Sequence, residues 1–206
     1  MIQIRPVEAA DLEAIYAISL ATGLAGGDAS HLHDDPTLIG HLYSAPYAVL
    51  EPDLGLVVGD EEGVGGYAVG ALDTGAWDER LERDWWPDLR RRYADPPGRP
   101  SRAWTADQWR CFAIHHPGRT PAEITRDFPA HMHMNLLPRL QRQGLGAKLL
   151  AAWLELAAGR GAAGVHVGVN RANTGGEAFW RSQGFTELAI DPAIGGRSLW
   201  LGRRLT

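Results

Sequence analysis

The stretch from His131 to Lys148, HMHMNLLPRLQRQGLGAK, holds two kinds of chemistry side by side. His131 and His133 are two residues apart, so on a strand both point the same way, and neutral imidazoles there can relay a proton from an amine held nearby. The same residue types also serve as core histidines bonded to backbone carbonyls, and their spacing does not separate the two roles. Asn135 is assigned to the opposite face and to a structural role. Beyond Pro138, the run Gln141-x-x-Gly144-x-Gly146 opens a helix. A helix start leaves about four backbone N–H groups without intrahelical partners, and the dipole behind them is positive, so an anion binds without a dedicated cation. Gly144 and Gly146 lack the Cβ that would hold a phosphate off the backbone, while Arg142 and Lys148 flank the turn with positive charge. The ligand this suits is a pyrophosphate. By itself the segment fits a tight strand-to-helix turn of any α/β domain equally well.

A second segment breaks the tie. Val165-His166-Val167-Gly168-Val169 reads as a strand, followed by Asn170 and then Asn173-x-x-Gly176-x-x-Phe179-Trp180-x-x-x-Gly184-Phe185. These two segments, in this order and at this separation, resemble the acetyl-CoA-binding motifs of the GNAT family of N-acetyltransferases. The opening, Ile2-Gln3-Ile4-Arg5-Pro6 and then Glu8 to Ile15, is similar to that family's first strand and helix. Phe128 to Pro138 and the loop from Thr22 to His31 look most similar to the acetyltransferase-like domain at the carboxyl end of O-GlcNAcase and its bacterial relatives.

The resemblance implies a mixed α/β (α+β) fold: a mostly antiparallel sheet with helices on both faces and two central strands splayed into a V. Acetyl-CoA would be the cosubstrate, with no metal. Its pantetheine would run beside the first arm along Met134, Leu136, Leu137 and Pro138. Its pyrophosphate would rest on Arg142, Gln143, Gly144, Leu145, Gly146, Ala147 and Lys148. Asn173, Phe179 and Trp180 would close the site from the second motif, Asn173 either capping its helix or bonding pantetheine. A backbone N–H near Met134 would receive the charge that develops on the carbonyl oxygen. The family's usual tyrosine, which protonates the departing thiolate, is here Trp180. An indole donates a hydrogen bond but does not release a proton near neutral pH, which leaves water as the acid for a thiol of pKa about 8.5.

The implied reaction is acetyl transfer to an amine of a small molecule or peptide; the alternative is a catalytically weak or inactive acetyl-CoA-binding module. Candidate bases are His133, His131 and Asp28, the last in a polar loop with His31, His33, Asp34 and Asp35. That loop would help wall the acceptor site, or would be solvated, with Asp35 capping a helix that starts at Pro36. Histidines 31, 33, 131 and 133 have the right atoms for a metal but no recognised ligand spacing. The glycine spacing is that of neither a Walker loop nor a Rossmann fingerprint, which argues against another nucleotide-binding class.

The elements that must position these residues are legible in outline. Strand 2–6 and helix 11–20 lead to a loop and a short helix ending at Tyr43; strands 54–59 and 64–72 form a hairpin turning at Asp60-Glu-Glu-Gly63. Residues 73–127 are an insertion with Trp77, Trp85, Trp86, Trp104 and Trp109, in which Asp95-Pro-Pro-Gly-Arg-Pro100 separates two helices. Its tryptophans suit either core filling or the floor of an acceptor pocket. Strand 130–137, helix 144–158 closed by Gly159, strand 165–169 and helix 174–182 make a βαβα unit with parallel strands. The stripe Leu145, Leu149, Trp153 and Leu156 should face the sheet. A hairpin of 185–190 and 197–205, turning at Gly195-Gly196, completes the chain.

The 206 residues, 45% hydrophobic, suffice for one core and a single domain, 1–206, and no second domain is required. A formal charge of −5 argues against nucleic acid as a general partner, and no apolar run reaches the roughly 20 residues of a membrane span. The lone Cys111 and the absence of a secretory signal suggest a reducing, cytoplasmic setting. Lysine occurs once against 19 arginines, a coding bias that implies no mechanism. Oligomeric state is not encoded in any pattern found.

Overall fold

The computed structural model describes residues 1–190 and 198–205, so the turn expected at Gly195-Gly196 lies outside the described residues. The elements are β1 (Gln3–Pro6), α1 (Leu12–Ala21), α2 (Leu38–Tyr43), α3 (Ala45–Leu50), β2 (Leu56–Asp60), β3 (Gly63–Ala71), α4 (Thr74–Asp84) and α5 (Trp86–Arg92). They continue with α6 (Ala106–His115), α7 (Ala122–Asp127), β4 (Ala130–Leu136), α8 (Leu145–Gly159), β5 (Gly164–Asn170), α9 (Thr174–Ser182), β6 (Thr186–Glu187) and β7 (Ser198–Arg204). The strands form one sheet in the order β1-β2-β3-β4-β5-β7-β6. Every pairing is antiparallel except β4 with β5.

Alternation along the strands sorts the buried side chains into two layers. Leu56, Val58, Ala68 and Met132 face α8, where Leu145, Leu149, Leu150, Trp153, Leu154 and Ala157 pack against them. Val57, Tyr67, Val69 and Ala71 face the opposite way, onto α1 through α6. Trp153 is fully buried and satisfies its indole by donating to the Leu54 carbonyl at 2.8 Å.

The structure corrects several expectations. The α8 stripe runs through Leu150, Leu154 and Ala157, with Leu156 only partly buried, because 3.6 residues per turn carries the face around over four turns. Gly159 is still helical; the left-handed residue that ends the helix is Gly161, at φ 90°. Helix α2 starts at Leu38 rather than Pro36, since Asp35 Oδ1 accepts from the Thr37 N–H and folds the chain into a turn first. Residues 73–127 hold four helices, not two, and α3 was missed altogether. Strand β6 is two residues long. No helix among the described residues is long and apolar enough to cross a membrane.

Candidate active site

Strands β4 and β5 pair only through Ala130↔Val165 and His131↔His166; beyond those residues they diverge. On its other edge β4 stays paired with β3 along its length. The Leu137 N–H donates to Gly65 O at 2.7 Å, and hydrogen-bonded pairs alternate along an antiparallel ladder. Asn135 and His133 therefore spend their backbone groups on β3, while Met134 and Leu136 direct theirs into the gap beside β5. A cavity opens on each side of this divergence. One, of about 720 Å³, is lined by Met134, Asn135, Leu136, the turn before α8, the start of α9 and the Thr22–Gly26 loop. The other, of about 290 Å³, is lined by Met132 and His133 of the same strand, by His166 and Trp200, and by α4 and α6 with the segment that follows α6.

The turn before α8 holds two left-handed residues two positions apart, Arg142 at φ 59° and Gly144 at φ 75°, a backbone alternation of the kind that can form an anion-binding nest. Gln141 Nε2 donates to Leu136 O at 2.8 Å and Gln143 Nε2 to Arg139 O at 2.6 Å, which pin the turn to the end of β4. Arg139 is committed elsewhere, to Asp60 at 2.7 Å. At Gly144 a side chain would meet nothing within 4 Å, so glycine answers there to the backbone angle; at Gly146 a Cβ would come within 3.2 Å of Phe179, so glycine answers there to space. Asn173 caps α9, accepting from the Gly176 N–H at 2.8 Å. Trp180 is buried edge-on to Phe179 and Phe185, and its ring lines the larger cavity.

The two histidines of β4 have different surroundings. His131 is buried with both ring nitrogens bonded: Nε2 lies 2.7 Å from Tyr47 Oη and Nδ1 lies 2.8 Å from Thr74 Oγ1. Thr74 donates its own hydrogen to Pro129 O at 2.8 Å, so it accepts from Nδ1–H, and Nε2 must then accept from Tyr47. Burial, followed by the neighbouring His133 and His166, holds the His131 imidazole well below its usual range. His133 is only half-buried, faces the smaller cavity between Tyr43 and Tyr47, and has no hydrogen-bonded partner among the described residues. Burial first, then His166, pushes it down to about 4, so it is a neutral proton acceptor at neutral pH.

The sequence profile of the Acetyltransferase (GNAT) family matches residues 50–185. The chain belongs to the GNAT acetyltransferase family. Among solved structures, SsHAT is 33% identical, with a TM-score of 0.91 over 100% of this chain and 98% of that one. The yncA structure from Salmonella typhimurium, solved with its cofactor acetyl-CoA, is 19% identical, with a TM-score of 0.57 over 100% of this chain and 94% of its own. The paia N-acetyltransferase from Thermoplasma acidophilum, in complex with coenzyme A, is 14% identical, with a TM-score of 0.56 and 99% of each chain covered. At those two identities the likeness is one of fold.

Within this GNAT fold the expected cofactor residues divide. Met134, Leu136, Arg142, Gly144, Gly146, Ala147, Asn173, Phe179 and Trp180 line the larger cavity. Leu145, the first residue of α8, is buried on its inner face, Leu137 packs on the opposite layer, Lys148 and Gln143 are exposed, and Pro138 opens a short 3-10 turn. Asp28 is not brought to the histidines: it is exposed, accepts from Ser30 N and Oγ at 2.9 Å, and borders a separate groove on α1. The rest of the polar loop is a staple, with His33 on Asp107 at 2.5 Å and Asp35 accepting from Tyr93 Oη at 2.8 Å. Asn135 lies two residues beyond His133, hence on its face and not the opposite one, and its amide bonds Thr22 Oγ1. Sequence reasoning passed over Tyr47, Thr74, Asp78 and Arg119; Trp77, beside Asp78 in the tryptophan-rich insertion, was the only signal near them.

Proposed function

We propose that this GNAT protein transfers the acetyl group of acetyl-CoA to an amine of a small molecule or peptide. The observation that carries the reading is the pair of cavities lined by successive residues of one strand, Met132 and His133 in one and Met134 in the other. The left-handed turn at Arg142–Gly144, the side-chain-free Gly146 on the cavity wall and the Met134 backbone edge that β5 leaves unpaired fit a pyrophosphate followed by an extended amide chain. When bound there, acetyl-CoA supplies an acetyl thioester activated for attack. The Met134 N–H stabilises charge gained by the carbonyl oxygen, and His133 takes the proton the amine releases as its nitrogen bonds to carbon. The thiolate that leaves takes its proton from water, Trp180 having none to give. We read residues 73–127 as an insertion in a single domain that supplies the wall of the acceptor cavity.

The test is thiol release by the purified protein with acetyl-CoA and a panel of amines. Saturable, amine-dependent release with an N-acetyl product supports the reading; release confined to hydroxyl acceptors overturns it. A second reading, a weakly active acetyl-CoA-binding module, is favoured by one observation, the indole of Trp180 where a phenol is usual. Tight acetyl-CoA binding with thiol release no faster than hydrolysis would favour it.

A further inference from the structure

The smaller cavity carries charges that the transfer reaction does not use. Helix α4 presents Asp78 and Glu82 to it, and the segment after α6 presents Arg119 at its exposed mouth. Glu82 is committed, its two carboxylate oxygens held by Arg90 at 2.7 and 3.1 Å. Asp78 and Arg119 are not: neither has a hydrogen bond or an ion pair among the described residues, although each lines the same cavity of about 290 Å³. Asp78 is half-buried, and burial raises its pKa, opposed by Arg119 and aided by Glu82; an incoming cation relieves that penalty. Between the charges the walls are aromatic. Trp77 stacks on Tyr47 at 4.4 Å, and Tyr43, Trp86 and Trp200 complete the lining, surfaces that suit an alkylammonium. Tyr47 has given its hydrogen to His131, so its oxygen is left as an acceptor for an N–H. Trp200 Nε1, buried and without a partner among the described residues, adds a donor with the same sign as Arg119.

We propose that Asp78 and Arg119 together select the acceptor, Asp78 drawing in its ammonium, which loses one proton to solvent before the neutral nitrogen attacks, and Arg119 holding an anionic group a few bonds away, so that the preferred acceptor is a small zwitterion of the amino-acid class. This rests on reading the smaller cavity as the acceptor site. The size supports a free small molecule: about 290 Å³ is at the lower end of ligand pockets, which span about 300–1,000 Å³. A peptide-bound amine would present a neutral amide where the carboxylate belongs, and Arg119 would go without its partner.

The experiment compares matched pairs, each a free amino acid and the amine that lacks its carboxylate, with the wild type, Asp78→Asn and Arg119→Gln. Both turnover with acetyl-CoA and direct titration of the CoA-saturated protein are read. The wild type should favour the carboxylate-bearing member by about tenfold or more in kcat/KM or in affinity, as a partly exposed charge contact of roughly 1–2 kcal/mol allows. Arg119→Gln should erase that preference by bringing the carboxylate-bearing member down to the level of the plain amine. Asp78→Asn should weaken both members, through KM rather than kcat, with acetyl-CoA affinity intact. Equal use of both members by the wild type, a preference that survives Arg119→Gln, or binding of neither member overturns the proposal. Amine acetylation without a carboxylate preference sinks this inference alone, whereas failure to bind acetyl-CoA sinks the reading beneath it.

Discussion

At the scale of single residues, His131 and His133 differ in surroundings, which their spacing left open: His131 is bonded at both ring nitrogens, and His133 faces the smaller cavity. Replacing His131 by Ala removes a buried ring and strands Tyr47 Oη and Thr74 Oγ1, so urea unfolding should show a loss of about 2–4 kcal/mol. His133→Ala should leave the fold near wild type and lower kcat/KM by about 10²–10⁴-fold, the usual contribution of a positioned base. A base held near 4 is active when deprotonated, so the acid limb of kcat/KM should lie near pH 4 and not near the ordinary imidazole value. A wild-type rate for His133→Ala would remove it from the reaction. Period-two alternation made the shared face legible. The partners that hold His131 were not, because Tyr47 is 84 and Thr74 57 residues away in sequence.

At the scale of elements, the turn into α8 is the part most fully encoded locally. Its glycines, its preceding Pro138 and the apolar helical period after it are all consecutive in the chain, and the element forms within a residue or two of expectation. Residues 73–127 were opaque for the opposite reason: α4 and α5 are joined through Trp85 alone, without a glycine or a spacer to mark the break. Gly146→Val puts carbon atoms against Phe179, where a Cβ alone already comes within 3.2 Å, and so disturbs two residues that line the larger cavity. Calorimetric titration should show it weakening acetyl-CoA binding more than Arg142→Ala does, since the latter removes one exposed charge and leaves the backbone cradle standing. The reverse order would mean that side-chain charge, not the backbone, holds the anion.

At the scale of the whole molecule, burial leaves His41, His131, His133 and His166 all with folded-state pKa values below that of the unfolded chain. The unfolded chain therefore binds more protons than the folded one below about pH 6.5, and stability must fall as pH drops through that point toward 4, where His41 and His133 titrate in the fold. The thermal midpoint should be flat from about pH 7 to 8 and decline steadily below 6.5, and His133→Gln should shallow the decline. A midpoint that rises on acidification would contradict the buried, neutral histidines. The GNAT fold class was legible from two motifs because they bracket the one parallel pair in the sheet, β4 and β5, whose divergence makes the cleft. The smaller cavity was not, because α4, α6, β4 and β7 converge on it from distant parts of the chain.

The most direct test of the account is amide hydrogen exchange of the full chain with and without saturating acetyl-CoA. Seating of the cosubstrate in the larger cavity predicts new protection at residues 134–147 and 173–180, including the Met134 N–H that faces the gap, with little change along α4 and α6. Saturable protection confined to α4, α6 or the groove on α1, or no protection at any concentration, would contradict it.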